Sequence, residues 1–174
     1  MVVIISSSLN PDSNSRLLAQ EAQRVLQSDG HRVTWCDLRD LPLPLCDGAG
    51  AYGDPNVTRI REILLEASAV IIATPIYNYD STAAMKNLIE LTGVAWENRV
   101  VGFLCAAGGM SSYMSIMSLA NSLMLDFRSV IVPRFVYATG EAFAGGQIID
   151  VDQLRRIAEL ARTTVRLGTL LKAA

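Results

Sequence analysis

The stretch Val2-Val3-Ile4-Ile5-Ser6-Ser7-Ser8-Leu9-Asn10 is an apolar run that ends in polar residues. Near the middle of the chain, Val70-Ile71-Ile72-Ala73-Thr74-Pro75-Ile76-Tyr77-Asn78 repeats the same arrangement. Continuous apolar runs of this length are typical of parallel strands that are buried on both faces. A segment with helical periodicity follows each run, so each stretch predicts a strand, a loop and a helix. The polar loops would then lie at the carboxyl ends of strands, where open parallel sheets bind ligands.

The rest of the chain continues the alternation of strands and helices. Apolar runs predict strands at 2–6, 31–36, 69–73, 99–106 and 129–132, the last with an extension toward Tyr137. Helical spacing predicts helices at about 14–28, 57–67, 82–92, 112–126 and 150–171, and an irregular loop at about 37–56. This alternation implies an α/β fold: a flavodoxin-like three-layer sandwich with a five-stranded parallel sheet of order 2-1-3-4-5. Without repeats or a linker, residues 1–174 are expected to form a single domain.

Composition narrows the classes of function. Hydrophobic residues make up 51% of the chain and charged residues 18%, which predicts that a subunit interface covers part of the apolar surface. A net charge of −2 without a basic run argues against nucleic-acid binding. No apolar run approaches the roughly 18–20 residues of a membrane span, and no signal peptide is expected. We therefore expect a cytoplasmic protein without a nucleic-acid or membrane partner.

Cysteine and histidine content excludes several kinds of site. Cys36, Cys46 and Cys105 have irregular spacing and no C-x-x-C pair, which fits a reducing cytoplasm rather than a disulfide framework. The single histidine, His31, is expected at the start of a strand, far from the strand ends. We therefore predict neither a zinc site nor a Ser-His-Asp mechanism, and we expect no metal ligands.

The loop after the first strand holds more hydroxyl and amide groups than a helix cap needs. One Ser or Asn caps a helix, whereas this loop holds Ser6, Ser7, Ser8, Asn10, Ser13, Asn14 and Ser15. Such groups donate hydrogen bonds to phosphate oxygens, and a helix N-terminus adds N–H groups and a favourable dipole. Neither G-x-G-x-x-G nor G-x-x-x-x-G-K-[ST] occurs, so the loop is interpreted as a different kind of phosphate site. Arg16 either adds charge there or points to solvent.

The loops after the third and fourth strands suit a flat ring. Pro75 fixes local geometry, and its neighbours can offer backbone N–H groups to a ring edge. Tyr77 and Tyr79 supply flat apolar surface, and the adjacent glycines 108 and 109 allow a ligand to approach the backbone closely. A phosphate at one end and a ring at the other predict a flavin mononucleotide site. The candidate cofactor-binding residues are Ser8, Asn10, Ser13, Asn14, Ser15, Pro75, Ile76, Tyr77, Asn78, Tyr79, Gly108 and Gly109.

These segments resemble the small NADPH-dependent FMN reductases of the flavodoxin-like superfamily, which include quinone, azo-dye and chromate reductases. The segments that carry the resemblance are 7–19, Thr74-Pro75-Ile76-Tyr77-Asn78 with Met85-Lys86-Asn87, and Gly108-Gly109. The middle one is similar to the family pattern T-P-x-Y-N…L-K-N. The resemblance implies that Ser8, Asn10, Ser13 and Ser15 bind the FMN phosphate, that Pro75, Tyr77 and Asn78 border the ring, and that Gly108 and Gly109 lie near its other edge.

The resemblance also implies a mechanism and an assembly. NADPH would reduce bound FMN by hydride transfer, and a small-molecule acceptor would then react in the same place, in a ping-pong cycle. No catalytic side chain is expected, since backbone N–H groups can stabilise the reduced ring. Helices 82–92 and 112–126, rich in Ala, Met and Leu, are expected to form a homodimer or homotetramer interface.

The chain departs from the family pattern at two places. Many members begin the first loop with G-S-x-R, whereas Ser7 and Asn10 stand at the glycine and arginine here, which removes a charged phosphate partner. FMN is then either a tightly bound group or a substrate. Tyr79-Asp80 also replaces the usual Gly-Ser. Two other functions stay open: a flavodoxin that carries single electrons between proteins, and a flavin-independent module for another phosphorylated ligand.

Overall fold

The computed structural model describes residues 1–173 and places one parallel sheet between two layers of helices. The strands of the sheet are β1 (Val2–Ser6), β2 (Val33–Asp37), β3 (Ala69–Pro75), β4 (Val100–Ala107), β5 (Val130–Ile131) and β6 (Val136–Thr139). The helices are α1 (Asn14–Ser28), α2 (Pro55–Glu66), α3 (Ala83–Thr92), α4 (Met117–Phe127) and α5 (Val151–Ala173). The sheet has the order β2-β1-β3-β4-β5, and β6 also pairs with β4. The predicted fold class and strand order are confirmed.

The central strands are buried on both faces, as their continuous apolar runs predict. Every residue of β1 and β3 is buried. Val3 and Ile5 pack toward the layer of α2, α3 and α4, whereas Val2 and Ile4 pack toward α1 and α5. Successive side chains of a strand point to opposite faces, so one apolar run supplies two cores. This double core fixes the carboxyl ends of β1, β3 and β4 side by side.

The fifth strand differs most from its prediction. In place of one strand at 129–132 with an extension toward Tyr137, two short strands, β5 and β6, pair in turn with β4. Between them, Pro133 has no N–H to donate and Arg134 has a φ of 58°, in the left-handed region. These two residues interrupt the ladder and leave a short, broken edge strand.

Several helices and one strand begin or end at other residues than predicted. The second helix begins at Pro55 rather than 57, because the Asp54 carboxylate accepts hydrogen bonds from the N–H groups of Asn56 at 2.8 Å and Val57 at 3.3 Å. The predicted helix 112–126 begins as a 3₁₀ segment, Met110–Ile116, before α4. β2 occupies Val33–Asp37 rather than 31–36.

Two connections between the predicted helices and strands contain secondary structure of their own. A hairpin of β7 (Phe143–Ala144) and β8 (Gln147–Ile148) is joined by Gly145 and Gly146, whose φ values are 56° and 73°. Positive φ at both positions is the geometry of a tight type I′ turn. The 37–56 connection contains a 3₁₀ turn at Gly50–Gly53. Within residues 1–173, no helix is long and apolar enough to cross a membrane.

Candidate functional site

A cleft of about 420 Å³ opens where the loops after β1, β3, β4 and β6 meet. Its volume lies in the range of roughly 300–1,000 Å³ that is usual for small-molecule sites. The residues that line it, called the cleft below, are Asn10, Asp12, Ser13, Asn14, Ser15, Pro75, Ile76, Tyr77, Ala106, Ala107, Gly108 and Gly140. Eight of the twelve candidate residues are therefore brought together: Asn10, Ser13, Asn14, Ser15, Pro75, Ile76, Tyr77 and Gly108.

The other four candidates are not among the residues that line the cleft. Ser8 is buried, and its Oγ accepts a hydrogen bond from the N–H of Asn10 at 3.3 Å. Asn78 and Tyr79 form the tip of the turn after β3, and Gly109 follows Gly108. The contact of these four residues with a ligand therefore stays a prediction.

The first wall gathers neutral donors at the start of α1. Ser13 is the N-cap: its Oγ accepts from the N–H of Arg16 at 3.4 Å and lies 2.9 Å from the Ser15 Oγ. The first N–H groups of a helix have no partner inside the helix, and its dipole favours an anion there. Asn10 and Asn14 are exposed beside this helix end. Hydroxyl, amide and backbone donors thus converge where an anionic group would bind.

Arg16 takes neither of the two orientations considered from the sequence. Its side chain is buried, and its Nε donates to the Asp37 Oδ2 at 2.6 Å. Nη2 donates to the Asp37 Oδ1 at 3.3 Å and to the carbonyl of Ser8 at 2.8 Å. Nη1 donates to the carbonyls of Asn10 at 2.7 Å and Pro11 at 3.1 Å. All five N–H donors of the guanidinium are engaged, so Arg16 ties the loop after β1 to α1 and to the end of β2.

The second wall ends in a strained tight turn. Tyr77 and Asp80 exchange two backbone hydrogen bonds of 2.9 and 3.0 Å, and the residues between them, Asn78 and Tyr79, have φ values of 51° and 64°. Asparagine tolerates this conformation, whereas tyrosine adopts it at an energetic cost. The Asp80 carboxylate accepts from the Ser118 Oγ at 2.6 Å, which ties the turn to α4. Tyr77 lines the cleft and Tyr79 follows it in the turn, and both side chains are more than half exposed.

The expected donors at this wall are partly used within the protein. The N–H of Ile76 donates to the carbonyl of Ala106 at 2.8 Å, and that of Tyr77 donates to Asp80. The neighbours of Pro75 therefore do not offer these two N–H groups to a ring edge, contrary to the expectation. The Ile76 bond instead joins the segment after β3 to the end of β4, and the Tyr77 bond closes the turn.

The third wall is a glycine loop held by a tyrosine. The buried Tyr137 hydroxyl donates to the carbonyl of Gly109 at 2.6 Å and lies 2.8 Å from the Ser112 Oγ. Its ring meets that of Tyr113 edge-on at 5.3 Å. A Cβ added to Gly108 would meet no other protein atom within 4 Å, so the space beside this wall is open.

Gly140 lines the cleft, although it was not among the predicted site residues. It follows β6 directly, and a Cβ there would also meet no atom within 4 Å. The signal was its place at the carboxyl end of the fifth strand, which the break in that strand obscured. Open space beside Gly108 and Gly140, apolar walls at Pro75 and Ala106, and neutral donors at α1 together fit a flat ring carrying a phosphate.

The three cysteines are not among the residues that line this cleft. Burial raises the pKa of the Cys36 thiol to about 11 and also raises the pKa of the Cys105 thiol. Neither thiol is therefore a nucleophilic thiolate at neutral pH. Within residues 1–173, no group of three His, Cys, Asp or Glu side chains is arranged to hold a metal ion.

Comparison with known proteins gives a consistent result. The family model described as NADPH-dependent FMN reductase matches residues 1–144. An NAD(P)H-dependent FAD/FMN reductase of Geobacillus thermodenitrificans is 29% identical over 141 residues, which cover 79% of this chain and 76% of that protein. An FMN reductase (NADPH) of Pseudomonas putida is 26% identical over 126 residues, which cover 72% of this chain and 64% of the relative.

Solved structures support the fold. FerB, a flavoenzyme NAD(P)H:(acceptor) oxidoreductase of Paracoccus denitrificans, superposes with a TM-score of 0.78 at 21% identity. The superposition covers 97% of this chain and 96% of that one. At this identity the likeness establishes the arrangement of strands and helices, including the order of the sheet.

Proposed function

The chain belongs to the NADPH-dependent FMN reductase family, and on that premise we propose that its cleft binds FMN and admits NADPH and a small-molecule acceptor in turn. When bound, a flavin supplies hydride transfer from a nicotinamide and onward reduction of the acceptor. The observation that carries the proposal is the convergence on one cleft of polar donors, an aromatic turn and two glycines beside open space, Gly108 and Gly140.

Each wall has a separate task in this proposal. The donors of Ser13, Asn14 and Ser15 hold the phosphate at the start of α1, where the helix dipole favours negative charge. Pro75 and Ile76 confine the ring from the β3 side. The space beside Gly108 on the β4 side receives its opposite edge, because no side chain fills it.

The acceptor is proposed to be flat and apolar, of the quinone or free-flavin class. Tyr77 lines the cleft, Tyr79 lies two residues further along the turn, and 53% and 67% of their surfaces are exposed. Two exposed aromatic rings offer a surface on which a flat molecule can stack. Nothing in this geometry demands an acid or base from the acceptor side, so we propose no catalytic side chain.

Dimerisation is proposed through α4 rather than through both predicted helices. The residues that α3 exposes are Ala83, Lys86 and Glu90, and the last two form an ion pair at 3.1 Å. The surface of α4 and its preceding turn instead exposes Met110, Met114, Met124 and Leu125. Exposed apolar stripes of this kind mark interaction surfaces.

Light scattering after size exclusion tests the assembly. Leu125→Glu is expected to yield a smaller species, because it places a charge in the apolar stripe. Leu65→Glu on α2 is the control, since Leu65 is also an exposed leucine, at 50% against 85% for Leu125, but lies outside α4 and its preceding turn. Equal masses for both variants and the wild type would remove α4 from the interface.

Two further parts of the proposal concern the chain as a whole. We propose that residues 1–174 form one domain, which the continuous sheet from β2 to β5 supports. We also propose a cytoplasmic location, which the free cysteines Cys36, Cys46 and Cys105 support because thiols persist in a reducing compartment.

Anaerobic rapid mixing tests the activity. Protein saturated with FMN is mixed with NADPH, and the visible flavin absorbance is followed before a quinone is added. We expect the absorbance to bleach with NADPH and to recover with the quinone. Flavin binding without bleaching would favour a single-electron carrier, and absence of flavin binding would favour a module for another phosphorylated ligand.

A further inference from the structure

A second cavity, of about 450 Å³, lies at the edge of the sheet where β5 breaks off and β6 begins. Residues 132–135, which separate the two strands, all line it, together with Tyr113 and part of α5. On α5 the lining residues include Arg156, Glu159 and Thr163, whose spacing of three and four residues places them on one face of the helix. This cavity, called the notch below, shares no lining residue with the cleft.

The apolar part of the notch is an aromatic pair. The rings of Tyr113 and Phe135 stack with their centroids 4.9 Å apart and an interplanar angle of 28°. Tyr113 is 39% exposed and Phe135 is partly buried, so the pair still presents surface to the notch. Pro133, which is exposed, lines the same cavity. Such a surface suits the packing of a flat ring.

The polar part of the notch carries more positive than negative charge. Three arginines line it with one carboxylate, that of Glu159. Arg155 is paired on both sides, with Asp152 at 2.7 Å and with Glu159 at 3.3 Å. The Nε of Arg156 donates to the Asp152 Oδ2 at 2.7 Å, whereas its Nη1 and Nη2 have no protein acceptor within residues 1–173. With Asp152 counted, three cations meet two carboxylates, which leaves one positive charge uncompensated.

Arg134 is the cation without a protein partner. In the part of the chain that the structure describes, its exposed side chain takes part in no ion pair and no hydrogen bond. Its φ of 58° lies in the left-handed region, which Gly or Asn adopts at lower cost than arginine. Backbone strain of this kind concentrates at binding sites, so an unpaired, strained arginine in a cavity points to a ligand.

We propose that the notch binds a planar aromatic anion, a flat ring that carries a carboxylate or a phosphate, at a site separate from the flavin cleft. The ring packs against Tyr113, Phe135 and Pro133. The anionic group accepts hydrogen bonds from the free Nη groups of Arg134 and Arg156, whose planar forks match carboxylate and phosphate oxygens. The volume lies in the range of roughly 300–1,000 Å³ that is usual for small-molecule sites.

Calorimetric titration with naphthoate, a flat aromatic carboxylate, tests the proposal. The protein is first saturated with FMN, so that the cleft is filled and the probe reports the notch. Naphthalenemethanol, which has the same ring and no charge, is expected to bind at least about threefold more weakly than naphthoate, because it cannot pair with the arginines. Naphthyl phosphate, titrated in the same way, shows which of the two anionic groups the notch prefers.

Arg134→Asn removes the charge and keeps the backbone, because Asn tolerates a left-handed φ. It is expected to weaken naphthoate binding about three- to tenfold, less than a buried charged hydrogen bond would give, because Arg134 is exposed. Arg128→Asn is the matched control, since Arg128 is also exposed, has a φ of 53° and ends α4 outside the notch. Urea unfolding checks that both variants fold like the wild type.

Weaker naphthoate binding in Arg134→Asn but not in Arg128→Asn, with naphthoate preferred over the alcohol, supports the inference. Equal affinity of Arg134→Asn and the wild type, or no binding of naphthoate, overturns it. Naphthoate that FMN displaces binds in the cleft, which also overturns the inference and leaves the reductase proposal intact. Failure of FMN itself to bind rejects the proposed function, whereas the comparison of Arg134→Asn with Arg128→Asn still decides whether the notch binds naphthoate.

Discussion

The brace formed by Arg16 and Asp37 gives the most specific prediction about stability. Replacing Arg16 by Ala leaves the Asp37 carboxylate buried with only the N–H of Arg39, at 3.0 Å, as a remaining donor. The change also removes the donors that reach the carbonyls of Ser8, Asn10 and Pro11. We therefore expect both the loop and the junction of α1 with β2 to loosen.

The magnitude follows from burial. The side chains of Arg16 and Asp37 are 9% and 3% exposed, so the pair is desolvated. Removing one partner of such a pair costs about 3–5 kcal/mol in the free energy of unfolding, because it leaves an uncompensated buried charge. For a chain of this size, that loss lowers Tm by about 6–20 °C, at roughly 2–4 °C per kcal/mol.

Urea unfolding and thermal melts followed by circular dichroism measure this loss. Arg24→Ala is the matched control on the same helix: Arg24 also makes two hydrogen bonds to a carboxylate, that of Glu21, but it lies in solvent. The control is expected to unfold close to the wild type, since exposed pairs contribute little. Equal losses in Arg16→Ala and Arg24→Ala would refute the reasoning from burial.

Three further expectations concern packing, positioning and pH. Gly168→Ala is expected to destabilise the fold by about 1–3 kcal/mol in urea unfolding, because its Cβ would lie 2.6 Å from the Ser68 carbonyl oxygen, whereas Gly53→Ala meets open space. Tyr137→Phe removes the hydroxyl that holds the glycine loop, so an altered visible spectrum of bound FMN is expected without loss of secondary structure. The pKa of Cys36 is raised from 9.0 to about 11, so stability present below pH 9 is lost as pH rises toward 11. Unfolding of Cys36→Ala measured across that range is expected to show a shallower loss.

Local patterns predicted most of the fold correctly. β1 and β3 were found because strands buried on both faces must be continuously apolar, and the bounds of α1 agree because Ser13 caps it and Asp29 ends it. The break between β5 and β6 was not predicted, although Pro133 is a recognisable signal against a continuous strand. The short hairpin at 143–148 was also missed, because its strands have two residues each.

In the candidate site, features that depend on local sequence were predicted, whereas features that depend on contacts between distant residues were not. The strand-end rule located the lining residues Ser13, Pro75 and Gly108, since it depends only on where each strand ends. The state of Arg16 could not be predicted, because its partner Asp37 is 21 residues away and becomes a neighbour only when β2 pairs with β1. The contact between Tyr137 and Gly109 spans 28 residues and depends in the same way on strand pairing.

The affinity of FMN for Gly108→Leu, compared with the wild type and Gly53→Leu, tests whether a flavin ring occupies the space beside Gly108. A side chain at Gly108 extends into open space beside the cleft, and Gly53 likewise has no atom within 4 Å of an added Cβ. We expect equal unfolding free energies, wild-type affinity in Gly53→Leu, and at least about tenfold weaker FMN binding in Gly108→Leu because the ring is displaced. Equal FMN affinity in all three proteins would show that the flavin binds elsewhere.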